Sequence, residues 1–487
     1  MSEKMMKKSK GLIVALLGTV LIAALTMWGC GTDGYSDPAA SANITTTKTA
    51  DALIDAATLK GWMDEGKVNA SFSSYDRVVV LTVSPAADST ATTTSNTIDN
   101  NGTPADTSDD KFVTTTTAKT TYGYTSHIPG AQLWNSGTEL GYTRREAVAD
   151  MTTMVPDGAS MDKLIQRFGI NKYTTIVLTV SSGQNNLYAA RAYFTLRYWG
   201  FPKNRIKILD GGDDAWKDGT YSLTSVVPNI TPSTYSVCNN YTGNFASLGM
   251  RYSIGEMIAL VDKVNAGTES TTDAAGIAIL DARGANPNGS YDYDTAHITG
   301  AIKDNYADYT IPATTTLKIG TTTTVTKLVS TNASTTATVD VTGPKTRTYK
   351  TDLAGYLSAL GVTATKKMNY VYCVSGYRAS VPFFVLDGIL GWPVTMYDGS
   401  WGQWSGYKSG NLPDVNGTPS IWRTDIDSRS FGTFSGSLPL SDNLYLSFTS
   451  VLDPEANQIF KADKIYFSTP PVSTTTSGGA SGSGSGC

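Results

Sequence analysis

Along this chain, apolar and polar positions follow two rhythms, and the rhythms recur in the same order twice. ATLKGWMDEG (57–66) has apolar residues at helical spacing and leads to RVVVLTV (77–83), a short and almost uninterrupted apolar run. Further on, SIGEMIALVDKVNAG (253–267) leads in the same way to GIAILDAR (276–283). Short β-branched runs bounded by turn residues predict strands buried on both faces, and the stretches before them predict amphipathic helices. The pairing continues downstream. IVLTV (176–180) is followed by AARAYFTLRYWGF and IKILDGGDDAW, and NYVYC (369–373) by RASVPFFVLDGILGW and VTMYDGSWGQW. Strands alternating with helices predict an α/β fold, with a parallel sheet covered by helices on both faces.

The two copies are tied together by small details. The chain has two histidines, and both stand in one context: HIPGA (His127 to Ala131) and HITGA (His297 to Ala301). Asp210 and Trp216 share the spacing of Asp398 and Trp404. Internal self-similarity on this scale means one structural unit used twice. We place the units at 51–235 and 245–410. Thr-rich blocks near 85–120 and 313–342 are expected as β-prone or flexible surface insertions. Residues 411–487 form an extension: its aromatics, up to about 467, are expected to pack on the second unit, and its end, TTTSGGASGSGSGC, is a flexible Gly/Ser tail.

The N-terminus changes the picture from globular protein to exported one. Lys4, Lys7, Lys8 and Lys10 precede the apolar segment GLIVALLGTVLIAALTMW, the pattern of a signal peptide over 1–29. It runs into Gly29-Cys30-Gly31, which looks like a bacterial lipoprotein cleavage site. Lipidation of Cys30 would tether the chain to a membrane, with 30–50 as a linker. The competing reading is an uncleaved anchor, since about eighteen apolar residues can just span a bilayer. Either one puts the globular part outside the cytoplasm, in the periplasm or at the cell surface. The net charge of −4 gives no reason to expect nucleic-acid binding. No CxxCH is present for a c-type haem and no Cys/His cluster for a metal, so neither cofactor nor metal is expected.

Of four cysteines, Cys30, Cys238, Cys373 and Cys487, three remain if Cys30 is lipidated, which does not make a disulfide framework. A Cys238–Cys487 disulfide would leave Cys373 as the free thiol. Cys373 falls at the C-terminal end of a strand, ahead of a tight turn and a helix from about Ala379. Ligand sites of open α/β sheets lie beyond such strand ends. A loop there points several backbone N–H groups inward, which favours thiolate over thiol. Gly376 allows the tight turn, and Arg378 can brace the loop or meet an anion. The plain alternative is a buried core cysteine. The order strand, Cys, Gly, Arg, helix is what an anion cradle requires, and it favours the reactive reading.

On these residues the chain resembles a tandem-domain rhodanese, a member of the thiosulfate and 3-mercaptopyruvate sulfurtransferase family. CVSGYRAS (373–380) resembles its active-site loop, LDAR (280–283) and HITGA its upstream signatures, and YDGSWGQW (397–404) its closing segment. The resemblance covers about three quarters of the chain. It implies two rhodanese-like domains, the second catalytic. It also implies transfer of a sulfane sulfur through a persulfide on Cys373, cradled by Val374, Ser375, Gly376, Tyr377 and Arg378. Arg283 would bind the donor, and Asp281 would orient the loop around it. His297 reads as structural, because its motif recurs in the half without the cysteine. Trp401 and Trp404 read as packing. The first half carries VSSGQNNLYAAR, with Ser181 or Ser182 near the cysteine position and Arg191 kept, and so has no nucleophile.

Val374 directly after the cysteine, Tyr377 and Arg378 match neither the thiosulfate nor the mercaptopyruvate pattern closely, so the donor stays open. The loop from Cys373 to Arg378 spans six residues, one fewer than related phosphatases need, which argues against phosphate chemistry. Expected partners are a small sulfur or selenium compound, a thiol or other thiophilic acceptor, and an envelope complex. The competing function is a non-enzymatic envelope lipoprotein that binds chalcogen species such as selenite or tellurite, or that partners an extracellular electron-transfer complex. Cys487 on its flexible arm could act as a resolving thiol for Cys373.

Overall fold

The computed structural model describes residues 52–74, 76–99, 111–286, 290–309, 349–408, 422–425, 428–432 and 457–469. The export segment, Cys30, the Thr-rich block at 313–342, the Gly/Ser tail and Cys487 lie outside them. Among the described residues, no helix is long and apolar enough to cross a membrane.

In the first half, β1 (Leu53–Ile54), α1 (Ala56–Asp64) and β2 (Val78–Ser84) precede a hairpin of β3 (Ser89–Asp99) and β4 (Lys111–Thr121). Then come β5 (Gln132–Asn135), a second hairpin of β6 (Tyr142–Glu146) and β7 (Ala149–Met154), and α2 (Gly158–Arg167). The half closes with β8 (Thr175–Thr179), α3 (Leu187–Tyr198), β9 (Ile206–Leu209) and α4 (Gly212–Asp218). The second half runs β10 (Arg251–Tyr252), α5 (Ile254–Asn265), β11 (Ile277–Asp281), α6 (Asp292–Thr295), β12 (Ala296–Ile298) and β13 (Ala301–Lys303). It continues through α7 (Tyr349–Ala359), β14 (Met368–Tyr372), α8 (Ser380–Phe384), β15 (Val394–Tyr397) and α9 (Ser400–Gly406). The extension adds β16 (Ser430–Gly432) and α10 (Gln458–Ser468).

Each half builds one parallel five-stranded sheet, in the orders β1-β9-β8-β2-β5 and β10-β15-β14-β11-β13. The two orders are the same, so the sequence repeat is a structural one. The helices are started by local chemistry. Asp55 and Asp157 accept from the amides of Thr58 and Ser160 at the heads of α1 and α2, and Ser253 and Glu256 form a reciprocal capping box on α5.

Successive residues on a strand point to opposite faces, and here both faces are covered. Val78, Val80 and Val177 pack outward with Leu59, Trp62 and Trp216. Val79, Leu81 and Leu178 face the other way, into a core that also holds Leu280, Val371 and Cys373 of the second sheet. The inner faces of the two halves therefore share one continuous core. Helices α3 and α8 close the seam, with Tyr193 edge-on to Phe384 at 4.8 Å and Phe194 edge-on to Phe383 at 4.9 Å.

The first Thr-rich block forms the β3–β4 hairpin, paired without a slip from Ser89↔Thr121 to Asp99↔Lys111. The extension departs from expectation. Residues 422–425 and 428–432 pack on the second half, where β16 pairs with β12 and Arg429 holds Asp262. Helix α10 packs on the first half instead. Asp463 takes both terminal nitrogens of Arg144 and the hydroxyl of Tyr198, and Tyr466 donates to Asp162. The polar face of α10 matches cations and hydroxyls that only the folded first half presents, so aromatic content could not show its destination.

Candidate active site

Cys373 is the first residue after β14, 1% exposed, with its carbonyl taken by the amide of Trp401 at 2.9 Å. Its amide donates to Ser400 Oγ at 3.2 Å, and that hydroxyl donates on to the carbonyl of Tyr397. Ser400 is not glycine yet has φ of 53°, a left-handed conformation that costs about 1–3 kcal/mol. The surrounding hydrogen bonds hold it there. The turn that follows needs Gly376, with φ of 80° and no room for a side chain. A Cβ there would lie 2.8 Å from Arg191 Nη1 and 3.0 Å from the carbonyl oxygen of Asp398.

Among the described residues, nothing accepts from the backbone N–H of Val374, Ser375, Gly376, Tyr377 or Arg378. A run of unpaired amides in one tight loop makes a cradle for an anion or a polarised sulfur atom. Above it opens a cleft of about 400 Å³. Cys373, Val374, Ser375, Tyr377 and Arg378 line one side. Ser136, Leu187 and Tyr188 of the first half line the other, so both halves build the site.

Arg283, Asp281, His297 and Trp404 do not line this cleft. Arg283 is 3% exposed and does not line it. Its guanidinium makes a fork to Asp281, stacks on Trp401 at 4.4 Å and donates to the carbonyl of Ala296. Direct contact with a donor is therefore not what this geometry gives Arg283. Its carbonyl instead receives Arg378 Nη1 at 2.6 Å, which fixes the loop's arginine beside the Tyr306 ring. Asp281 accepts from the side chain and amide of Arg283 and from the hydroxyl of Tyr372. His297 stacks on Tyr293 at 3.8 Å and bonds its carbonyl, just as His127 stacks on Tyr124 at 3.9 Å. Trp404 is buried and donates to Ser430 Oγ.

Under the loop lies a buried charge network that spans both halves. Arg191 of α3 donates to Asp398 Oδ1 at 2.6 Å, Arg251 holds Asp398 Oδ2 at 3.2 Å, and Arg251 also binds Glu146 of the β6–β7 hairpin at 2.8 Å. Burial pushes the Asp398 carboxyl up, but the charges of Arg191 and Arg251 outweigh it and hold the group below the usual carboxylate range.

Strand registers align the two halves residue by residue, and they put Val180 opposite Cys373, not Ser181 or Ser182. Both loops turn on a glycine with positive φ, Gly183 and Gly376. The first loop, however, has amides taken by acceptors within its own half. Ser181 N donates to Ser84 Oγ, Gln184 N to the carbonyl of Ser181, and Gly183 N to Asp214 Oδ2 at 3.1 Å. Asp214 corresponds to Gly402 in the second half. One half thus places a carboxylate over its loop, and the other leaves that place without a side chain. Counting from Asp210 and Asp398 in the sequence would have found this pair. Ser400 and Tyr188 carried no such signal.

Two matching parallel sheets, with the loop at the carboxyl end of a central strand of the second, define an α/β fold of two rhodanese-like halves. No family model matches the chain. It is 27% identical over 299 residues to the sulfur carrier protein TtuD of Thermus thermophilus, covering 60% of this chain and 85% of that protein. It is 25% identical over 290 residues to a thiosulfate sulfurtransferase of Corynebacterium glutamicum, covering 57% of this chain and 76% of that one. Among solved structures, YnjE aligns at 17% identity with a TM-score of 0.44, over 76% of this chain and 68% of that chain. The relatives support a sulfurtransferase, an enzyme of the transferase kind.

Proposed function

We propose that this protein moves sulfane sulfur from a small donor to a thiophilic acceptor through a persulfide on Cys373. The supporting observation is the position of the thiol in a two-sided cleft, in a loop whose five following amides have no acceptor among the described residues. The Cys373 thiolate attacks the terminal sulfur of the donor, the donor's bond to that sulfur breaks, and the remainder leaves with its electron pair. The persulfide carries a terminal negative charge, which the loop amides stabilise. A thiol acceptor then attacks the outer sulfur and restores the Cys373 thiolate. Arg378 contributes positive potential from the cleft wall, and Arg191 with Asp398 keeps the loop in shape from below. The export signal and Cys30 point to a lipid-tethered protein acting in the cell envelope.

The test is intact-protein mass after the full chain, in detergent, meets thiosulfate, 3-mercaptopyruvate, or selenite together with a reducing thiol that takes its selenium down to the zero-valent level, with Cys373→Ser alongside. Gain of one sulfur or selenium atom by the native protein alone is expected. A folded protein with a titratable Cys373 thiol and no adduct from any donor would instead support a chalcogen-binding lipoprotein. Metabolic labelling with a fatty acid, lost in Cys30→Ala, checks the tether.

A further inference from the structure

The cleft is larger and less charged than a small dianion requires. Its volume of about 400 Å³ falls in the range that holds organic ligands of moderate size. Arg378 is the one cationic residue in the described lining, and one of its nitrogens is already given to the carbonyl of Arg283. Arg283 is neutralised by Asp281, and Arg191 by Asp398, both outside the lining. Among the described residues, no second cation lines the opening to balance a second charge.

Beside Arg378, Ser136 and Ser375, the rest of the described lining above the thiol is apolar or aromatic: Val374, Leu187, Tyr188 and Tyr377. Val374 is 39% exposed at the rim, opposite Leu187 and Tyr188. Tyr188 stands edge-on to Tyr377 at 6.2 Å, leaving the two rings as adjoining walls of the cleft. A flat apolar body can rest against such a pair, as aromatic groups do in protein cores.

From this lining we infer that the preferred donor carries one negative charge and an apolar body the size of an aromatic ring, and that dianionic thiosulfate is the poorer substrate. The inference rests on the transferase reading above and assigns Tyr188, from the half without the cysteine, as its specificity determinant. The step balances without a further reagent. The Cys373 thiolate takes the terminal sulfur of an organic thiosulfonate, the S–S bond breaks, and a sulfinate anion leaves with the electron pair.

Three donors separate charge from size: thiosulfate, methanethiosulfonate and benzenethiosulfonate. All present a terminal sulfane sulfur, and they differ in what the other sulfur carries. Steady-state transfer from each to cyanide is measured with the full chain, and Cys373 loading is followed by mass. We expect kcat/KM to rise in that order, with the phenyl donor roughly tenfold or more above the methyl one. Tyr188→Ala should bring the phenyl-to-methyl ratio towards one, and Tyr188→Phe should keep it. If Cys373 loads from all three and thiosulfate matches or exceeds the phenyl donor, the substrate class is wrong and the transferase reading stands. Equal rates for the methyl and phenyl donors overturn the role of the aromatic wall. No loading from any donor overturns both readings.

Discussion

At the scale of single residues, the cradle depends on two backbone conformations that side chains rarely adopt. Gly376 is the clearer case, because its turn is pressed against Arg191 and Asp398. Gly376→Ala therefore combines positive-φ strain with a close contact, and should destabilise by about 1–3 kcal/mol. Urea unfolding gives that number, and mass analysis should show weaker sulfur loading at sub-saturating donor. Cys373, Gly376 and Arg378 were legible from the sequence, since their order along the chain is also their order around the turn. Arg283 was only half legible. Its neighbourhood is right, but its guanidinium is committed to Asp281 and Trp401, partners brought in by the fold.

At the scale of elements, the two strand–loop–helix units share a backbone and differ in what closes them. The carboxyl of Asp214 is held below its usual range: burial raises it, and the bonds to Lys217 and the Gly183 amide outweigh that. Asp214→Ala should free the Gly183 amide, speed hydrogen exchange across 181–185, and lower stability by about 1 kcal/mol. Sulfur loading at Cys373 should be unchanged. Slower loading in that variant would mean that the first loop takes part in transfer. The hairpin β6–β7 was not legible as an element of the site. Its sequence shows no partner, yet it carries Glu146 and Ala147 into the second half's core.

At the scale of the whole molecule, the halves are joined by a shared apolar seam and by the Glu146–Arg251–Asp398–Arg191 network. A carboxyl with a depressed folded pKa adds stability above its unfolded value, near 3.9, and loses it as pH falls through the lower folded value. Asp398 is such a group, so unfolding midpoints should decline as pH drops below about 4. Asp398→Asn should flatten that decline and lower stability at pH 7, as tryptophan fluorescence in urea would show. Arg191→Met leaves a buried carboxylate short of a partner, which typically costs about 3–5 kcal/mol. It should also impair loading at Cys373, although the substitution lies in the other half.

Periodicity and motif order were enough to read the duplicated α/β unit, the Cys373 loop and the absence of a matching cysteine in the first half. These are local properties, set by strand alternation, turn-forming glycine and the run of residues around one bend. The walls of the cleft, the destination of α10, the commitment of Arg283 and the bracing of the loop by Arg191 depend on residues far apart in the chain. Their partners are chosen by how two sheets pack and which charges that packing buries together, and spacing along the sequence carries no record of either.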